Sequence, residues 1–271
     1  MINPFIKQQL PTKLKIKKPK IWLYPRNAER IYQKELLKIN KILNDQIKLF
    51  ILPRLEQLVL RANLNRPIRQ DDWADDVGEL INATFLNYEA IVSLPLLNQI
   101  SLEQALRING YNKGQFFKVV ESAISVNPFM NEPYLQEQIK AFQKNNTNLI
   151  TKFTQEQKDR LNNELYQSLS SGKGAKEIAK DIQDIEGIGK RRAVLIARDQ
   201  TNKFNGQLTQ LRQTELGVEE YRWITAGDEK VRHSHKARNG KVYRWDSSDI
   251  KPGEEIRCRC IAQPIITEDL F

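Results

Sequence analysis

The stretch Gly217–Ile261, GVEEYRWITAGDEKVRHSHKARNGKVYRWDSSDIKPGEEIRCRCI, decides the fold, because the apolar pattern changes period there. Before Gly217 apolar residues recur every three or four positions. After it they gather in short β-branched and aromatic runs between turn-rich segments. Tyr221-Arg222-Trp223-Ile224, Val242-Tyr243-Arg244-Trp245 and Ile256–Ile261 are the expected strands, and Asn239-Gly240 before Lys241-Val242-Tyr243 is a hairpin signal. The same stretch holds His233-x-His235 and Cys258-x-Cys260. On a strand, residues two apart share a face. His233, His235, Cys258 and Cys260 could then complete a tetrahedral N/S site, which suits one structural zinc ion. Asp228 is an alternative ligand or a partner for a ring nitrogen. A disulfide between Cys258 and Cys260 would be strained, and a metal would help a unit with a small core to fold. The plain alternative is two buried thiols and two surface histidines.

Working outward, residues 27–170 read as a helical body whose apolar faces form core. Asn27 is a candidate N-cap for a run to about Leu64, which Pro53 should break or kink. A helix from Asp71 or Asp72 should run towards Ser93, stopped by Pro95. Ser101 with Gln104 is a capping-box pattern ahead of a short helix, and another helical stretch spans roughly 115–126. Two more helices are expected at about 133–149 and 155–170, the second opened by Thr154 and Gln157. Next come a helix over 175–184, a turn at Gly187-Ile188-Gly189, and a basic helix over 190–215. The expected architecture is α+β: a mainly α-helical N-terminal body, then a small α+β C-terminal domain with short antiparallel strands. The boundaries are a basic extended arm at 1–26, a helical body at 27–170, and the C-terminal domain at 171–271.

The chain of 271 residues has 40% hydrophobic and 28% charged residues, a globular composition, with a formal net charge of +10. That excess makes polyanions the first partners to consider. Two cysteines exclude a disulfide scaffold, no apolar run is long enough to span a bilayer, and a reducing cytosol is the expected setting. Two histidines and no Gly-rich phosphate loop argue against metabolic catalysis. The charge is uneven. Lys15, Lys17, Lys18 and Lys20 lie in a Pro-interrupted arm that is either a tether to nucleic acid or an acidic protein surface, with Trp22 and Tyr24 available for stacking, or a solvated tail. A second excess follows Gly189, where Lys190, Arg191 and Arg192 adjoin the Gly187-Ile188-Gly189 turn. Two glycines between helices resemble the helix-hairpin-helix element of non-specific DNA binders, whose backbone approaches phosphate at a helix N-terminus. A plain interhelical turn is the competing reading.

An ordered series carries a wider resemblance. Ile196-Ala197-Arg198, Asn205, Trp223, Gly227-Asp228-Glu229-Lys230-Val231-Arg232, Ser234-His235, Asn239-Gly240-Lys241-Val242, Pro252-Gly253-Glu254 and Cys258-Arg259-Cys260 resemble the phage Mu F-like minor head protein family, the phage head morphogenesis domain. The resemblance covers about 165–265. Arg198, Asp228, Arg232, His235, Cys258 and Cys260 match directly. Departures are Asp199-Gln200 for the usual Thr-Glu, His233 where Pro is common, and Glu255-Ile256-Arg257 for the usual His-Pro-Asn. His233 could stand in for that missing histidine as a ligand, and Asp228 with Arg232 could form a turn-fixing ion pair. The resemblance implies a minor capsid protein in the virion, in the head interior near the portal, and present in the host cytoplasm during assembly. The portal protein, other head proteins and phage double-stranded DNA are its expected partners, with no membrane and no required catalysis. Two alternatives stand beside it: a non-specific DNA-binding module using the Gly-Ile-Gly hairpin, and a metal-dependent nuclease using His233, His235 and Asp228.

Overall fold

The periodicity beginning at Asn27 produces α1 (Arg26–Phe50), whose Tyr32, Leu36, Ile39, Leu43 and Ile47 form one buried stripe. Pro53 ends this run as expected: a 3-10 turn over Leu52–Arg54 separates it from α2 (Leu55–Leu64). Then follow α3 (Asp71–Ile91), α4 (Leu94–Ile124), α5 (Leu135–Ser171) and α6 (Ala175–Glu215). The C-terminal region supplies β1 (Glu220–Ile224), the short α7 (His233–Arg238), β2 (Val242–Arg244) and β3 (Ile261–Pro264). This computed structural model describes residues 15–64, 71–126, 132–247 and 249–268, apart from the side chains of Asp71 and Asp72. Helical body and small antiparallel sheet together make the α+β class read from the sequence.

Three expected interruptions are absent. Helix α4 runs through Ser101, α5 through Thr154, and α6 through Gly187-Ile188-Gly189. A capping box needs its first residue outside the helix. Here Ser101 is buried mid-helix against the Thr147 hydroxyl, while Thr154 donates back to the Ile150 carbonyl at 3.2 Å. Gly189 serves close packing rather than a turn: a Cβ there would lie 2.1 Å from Asn40 Oδ1. The helix-hairpin-helix reading therefore falls, since no helix N-terminus exists at Lys190 to receive a phosphate. Ile256–Ile261 is corrected too. The third strand begins at Ile261, and the cysteines precede it in irregular backbone.

The described residues form two compact units. One draws on the described residues within Met1–Ile31, Leu102–Phe142 and Ala197–Phe271, the other on those within Tyr32–Ser101 and Gln143–Ile196. In the second, the Tyr32 hydroxyl donates to Asn146 Oδ1 at 2.9 Å, Trp73 packs on Tyr166, and the Tyr166 hydroxyl donates to the Ala74 carbonyl.

The first unit contains the sheet, ordered β2-β1-β3 and antiparallel throughout. Tyr221 faces Tyr243 on one side of β1, and Trp223 faces Ala262 on the other. One core cluster joins Phe116, Val119, Val120 and Ala123 of α4 to Leu216, Val218, Ile261 and Trp22. Trp22 has no exposed surface, so it is unavailable for stacking on a nucleic acid base. Its amide donates to Gln263 Oε1, the Gln263 side-chain amide donates to the Lys20 carbonyl, and the Lys17 amide donates to the Ala123 carbonyl. From Lys15 the arm is an extended strap fastened to its unit, not a solvated tail; the part before Lys15, including Lys7 and Lys13, lies outside the described residues. A second buried feature is polar. The Arg212 guanidinium has no exposed surface and donates to Glu132 Oε1, Asn112 Oδ1 and Asn109 Oδ1, each at 2.6 Å.

Candidate metal centre

The site begins with how two segments are held. Strand β1 ends at Ile224, and the chain returns through α7 to β2. Gly240 donates to the Trp223 carbonyl, Trp223 donates to the Lys241 carbonyl, and Asn239 Oδ1 accepts from the Thr225 amide. The second segment, 252–260, is seated by glycines on each side of a close backbone contact. A Cβ on Gly206 of α6 would lie 2.7 Å from the Pro252 carbonyl, and Gly253, at φ +102°, has its own Cβ position 3.0 Å from the Asn202 carbonyl. Only glycine tolerates both the approach and that φ. From this seat the chain turns, with Cys258 donating to the Glu255 carbonyl, and enters β3.

These segments bring His235, Cys258 and Cys260 together. All three are buried, and their ligand atoms lie within 4.8 Å of one another. His235 Nδ1 is 3.7 Å from Cys258 Sγ and 3.4 Å from Cys260 Sγ. A tetrahedral zinc with ordinary Zn–N and Zn–S bonds places its nitrogen and sulfur donors about 3.6 Å apart, so the observed spacing fits one ion. The other ring nitrogen, Nε2, is 2.6 Å from Glu255 Oε2, the carboxylate contact that fixes ring orientation in metal-ligating histidines. Trp223 packs edge-on against the imidazole at 5.2 Å. The Cys260 amide points at Cys258 Sγ from 3.4 Å.

Electrostatics move the two thiols in opposite directions. The Cys260 thiol hydrogen-bonds to Cys258 and, against the cost of burial, helps bring the Cys258 thiol down to about 6; the amides of Cys260 and Gly253 and the nearby His235 add to this. The same contact and burial push the Cys260 thiol up. Burial acts to raise Glu255, but His235 and Arg232 outweigh it and hold that carboxylate below its usual range. Ligation would require both sulfurs deprotonated, and the metal's own charge supplies that drive.

His233 is not part of the group. Residues 233–238 form a helix rather than a strand, so positions two apart point about 200° from each other. His235 turns inward and His233 is exposed. Asp228 is also elsewhere: it accepts from Arg259 Nη2, which lowers its carboxyl, as do the amide and charge of Lys230. The expected Asp228–Arg232 pair does not form, because Arg232 donates to Glu255 Oε2 at 2.6 Å and to the Ile256 carbonyl. With His233, His235 and Asp228 apart, the nuclease constellation is not assembled. Arg198 donates to Glu29 Oε1 at 3.0 Å, and Glu29 also accepts from the Tyr24 hydroxyl, which locks the strap to α6. Lys15, Lys17, Lys18 and Lys20 are exposed. In the other unit Lys190 pairs with Glu186, Arg191 is exposed and Arg192 lies 3.9 Å from Glu156. Glu255 and Arg259 were not foreseen as site residues. The first stood out in the sequence only as a departure from the Mu F-like pattern, and the second only as the residue between two cysteines.

Fold and site define a class: a helical protein carrying a small sheet beside a buried His-Cys-Cys cluster. Residues 159–263 match the family model described as Phage Mu protein F like protein, which bears out the resemblance read from the motif series. Every residue of the cluster, with Asp228, Arg232 and Glu255, lies inside that match. The chain is also similar to an uncharacterized protein of Haemophilus influenzae (strain ATCC 51907 / DSM 11121 / KW20 / Rd), 32% identical over 139 residues. That alignment spans 50% of this chain and 31% of the relative, so the chain covers about a third of that protein's length. No solved structure gives a significant match. No single helix among the described residues is long and apolar enough to cross a membrane.

Proposed function

We propose that this protein is a minor head protein of a tailed bacteriophage or prophage, acting in head morphogenesis. In this reading it sits in the head interior beside the portal, passes through the host cytoplasm during assembly, and catalyses nothing. The observation that carries the reading is the Mu F-like match over 159–263, within which His235, Cys258 and Cys260 converge. The exposed Lys15, Lys17, Lys18 and Lys20 suit sequence-independent contact with packaged DNA, because phosphate contacts give affinity and register without reading bases. The strap's backbone is already fastened, so such contact would cost little ordering entropy. His235 Nδ1 and the two thiolates would hold one zinc ion, which supplies a cross-link between the α7 segment and the loop before β3.

Quantitative mass spectrometry of procapsids and DNA-filled heads tests the proposal. Recovery of a few copies per particle together with the portal protein is the expected result. Expression without incorporation into any particle would overturn it.

A further inference from the structure

We infer that the His235–Cys258–Cys260 centre keeps one exchangeable coordination position, and that this position takes an oxygen of a phosphate group held by Lys230 and Arg257. The inference rests on the metal reading above and extends it. Among the described residues no fourth donor converges on the three. His233 is exposed, Asp228 is engaged by Arg259, and Glu255 sits on the far nitrogen of the imidazole. A purely structural zinc site is closed by a fourth protein ligand; here the donors instead line a cavity of about 220 Å³. That is room for much more than the single water of a minimal hydrated site.

The rest of the lining states what chemistry fits. Lys230, Arg232, Arg257 and Arg259 all border the cavity. Arg232 is neutralised by Glu255 and Arg259 by Asp228, whereas Lys230 and Arg257 make no ion pair among the described residues. A divalent metal with two thiolates and a neutral imidazole carries no net charge, and four cations border the cavity against the two carboxylates of Asp228 and Glu255, so surplus positive charges face a neutral centre. An anion in the fourth position balances them. Arg257 also holds φ at 62°, a left-handed conformation that a non-glycine residue keeps at a cost and that tends to occur at ligand sites. A tetrahedral oxyanion has one oxygen for the metal and others for the guanidinium fork and the ammonium, more than the two oxygens of a carboxylate provide. Phosphate is therefore the matching class, free in solution or in a DNA backbone.

The test uses the full chain loaded with cobalt(II) in place of zinc. Cobalt bound to sulfur and nitrogen donors shows thiolate charge-transfer and ligand-field bands that report every ligand. Titration with inorganic phosphate should shift the ligand-field bands saturably. Lys230→Ala with Arg257→Ala should weaken that response by about tenfold or more at unchanged cobalt stoichiometry. Displacement of inorganic phosphate by a short DNA duplex would identify the backbone as the source, and failure to displace it would identify free phosphate. Cobalt spectra indifferent to phosphate, or altered by His233→Ala, would overturn the inference and leave the metal reading standing. Failure to bind cobalt at all would overturn both.

Discussion

Two buried polar clusters in the same unit have opposite characters. Around Arg212 the charged groups are paired internally: one guanidinium feeds Glu132, Asn112 and Asn109, and Glu132 also takes Lys113 at 3.0 Å. Around His235 the polar atoms converge on one another instead, with two sulfurs aimed at a single ring nitrogen and a basic cavity alongside. A closed network needs no ligand and acts by fixing its helices. A convergent set of such donors is poorly satisfied by its own members, and it is the arrangement that could hold a metal ion.

The largest effect should come from emptying the second cluster. Cys258→Ser or Cys260→Ser should abolish stoichiometric zinc binding, and a strong chelator should do the same to the unaltered protein while lowering its melting temperature. Apparent binding energies of structural zinc reach about 10 kcal/mol or more, though part is offset here by an open position. Calorimetry with and without chelator checks this, and equal melting curves would remove the contrast between the clusters.

Next is the closed network. Arg212→Ala leaves Glu132 buried with only the part-exposed Lys113 as partner and orphans the Asn109 and Asn112 carbonyl oxygens, and should destabilise the unit by about 3 kcal/mol, read by urea unfolding. Zinc stoichiometry should not change. Glu255→Gln ranks third: loss of the charged contact to His235 Nε2 should weaken zinc by about 10–100-fold without abolishing it. A competition titration against a chelating dye measures this.

Acid should also separate the clusters. Burial acts to raise Glu132, but its hydrogen bonds and charge contacts with Arg212 and Lys113 more than offset this and lower its carboxyl. A folded value below the unfolded one means that its contribution is present above the ordinary glutamate range and is lost as pH falls through the folded value. Unfolding free energy measured against pH in zinc-free protein should fall in that acid window, and Glu132→Gln should flatten the fall. The smallest effect is expected from His233→Ala, which should stay within about 0.5 kcal/mol in stability and leave zinc content unchanged, since the side chain is exposed and outside the cluster.

Much of this was legible in the chain. The shift in period at Gly217, the break at Pro53, and β1 and β2 follow from local pattern, and Cys258-x-Cys260 with His235 names the three donors. Other parts depended on distant residues. Glycines at 187 and 189 look like a turn until Asn40 and Gln157 are seen crowding the second of them. Ser101 and Thr154 look like caps until burial outweighs local preference. His233 was misassigned because a spacing of two favours a shared face in a strand and opposite faces in a helix, and six residues carry too little pattern to distinguish them. Trp22, beside four lysines, reads as a solvent-side aromatic; its burial depends on Phe116 and on Gln263, some 240 positions later.

The central claim is that His235, Cys258 and Cys260 bind one metal ion. X-ray absorption at the zinc edge of the purified protein addresses it most directly. The expected first shell is two sulfurs at about 2.3 Å and one imidazole nitrogen at about 2.0–2.1 Å, completed by a light atom. Protein without stoichiometric zinc after zinc loading, or a shell of nitrogen and oxygen alone, would contradict it.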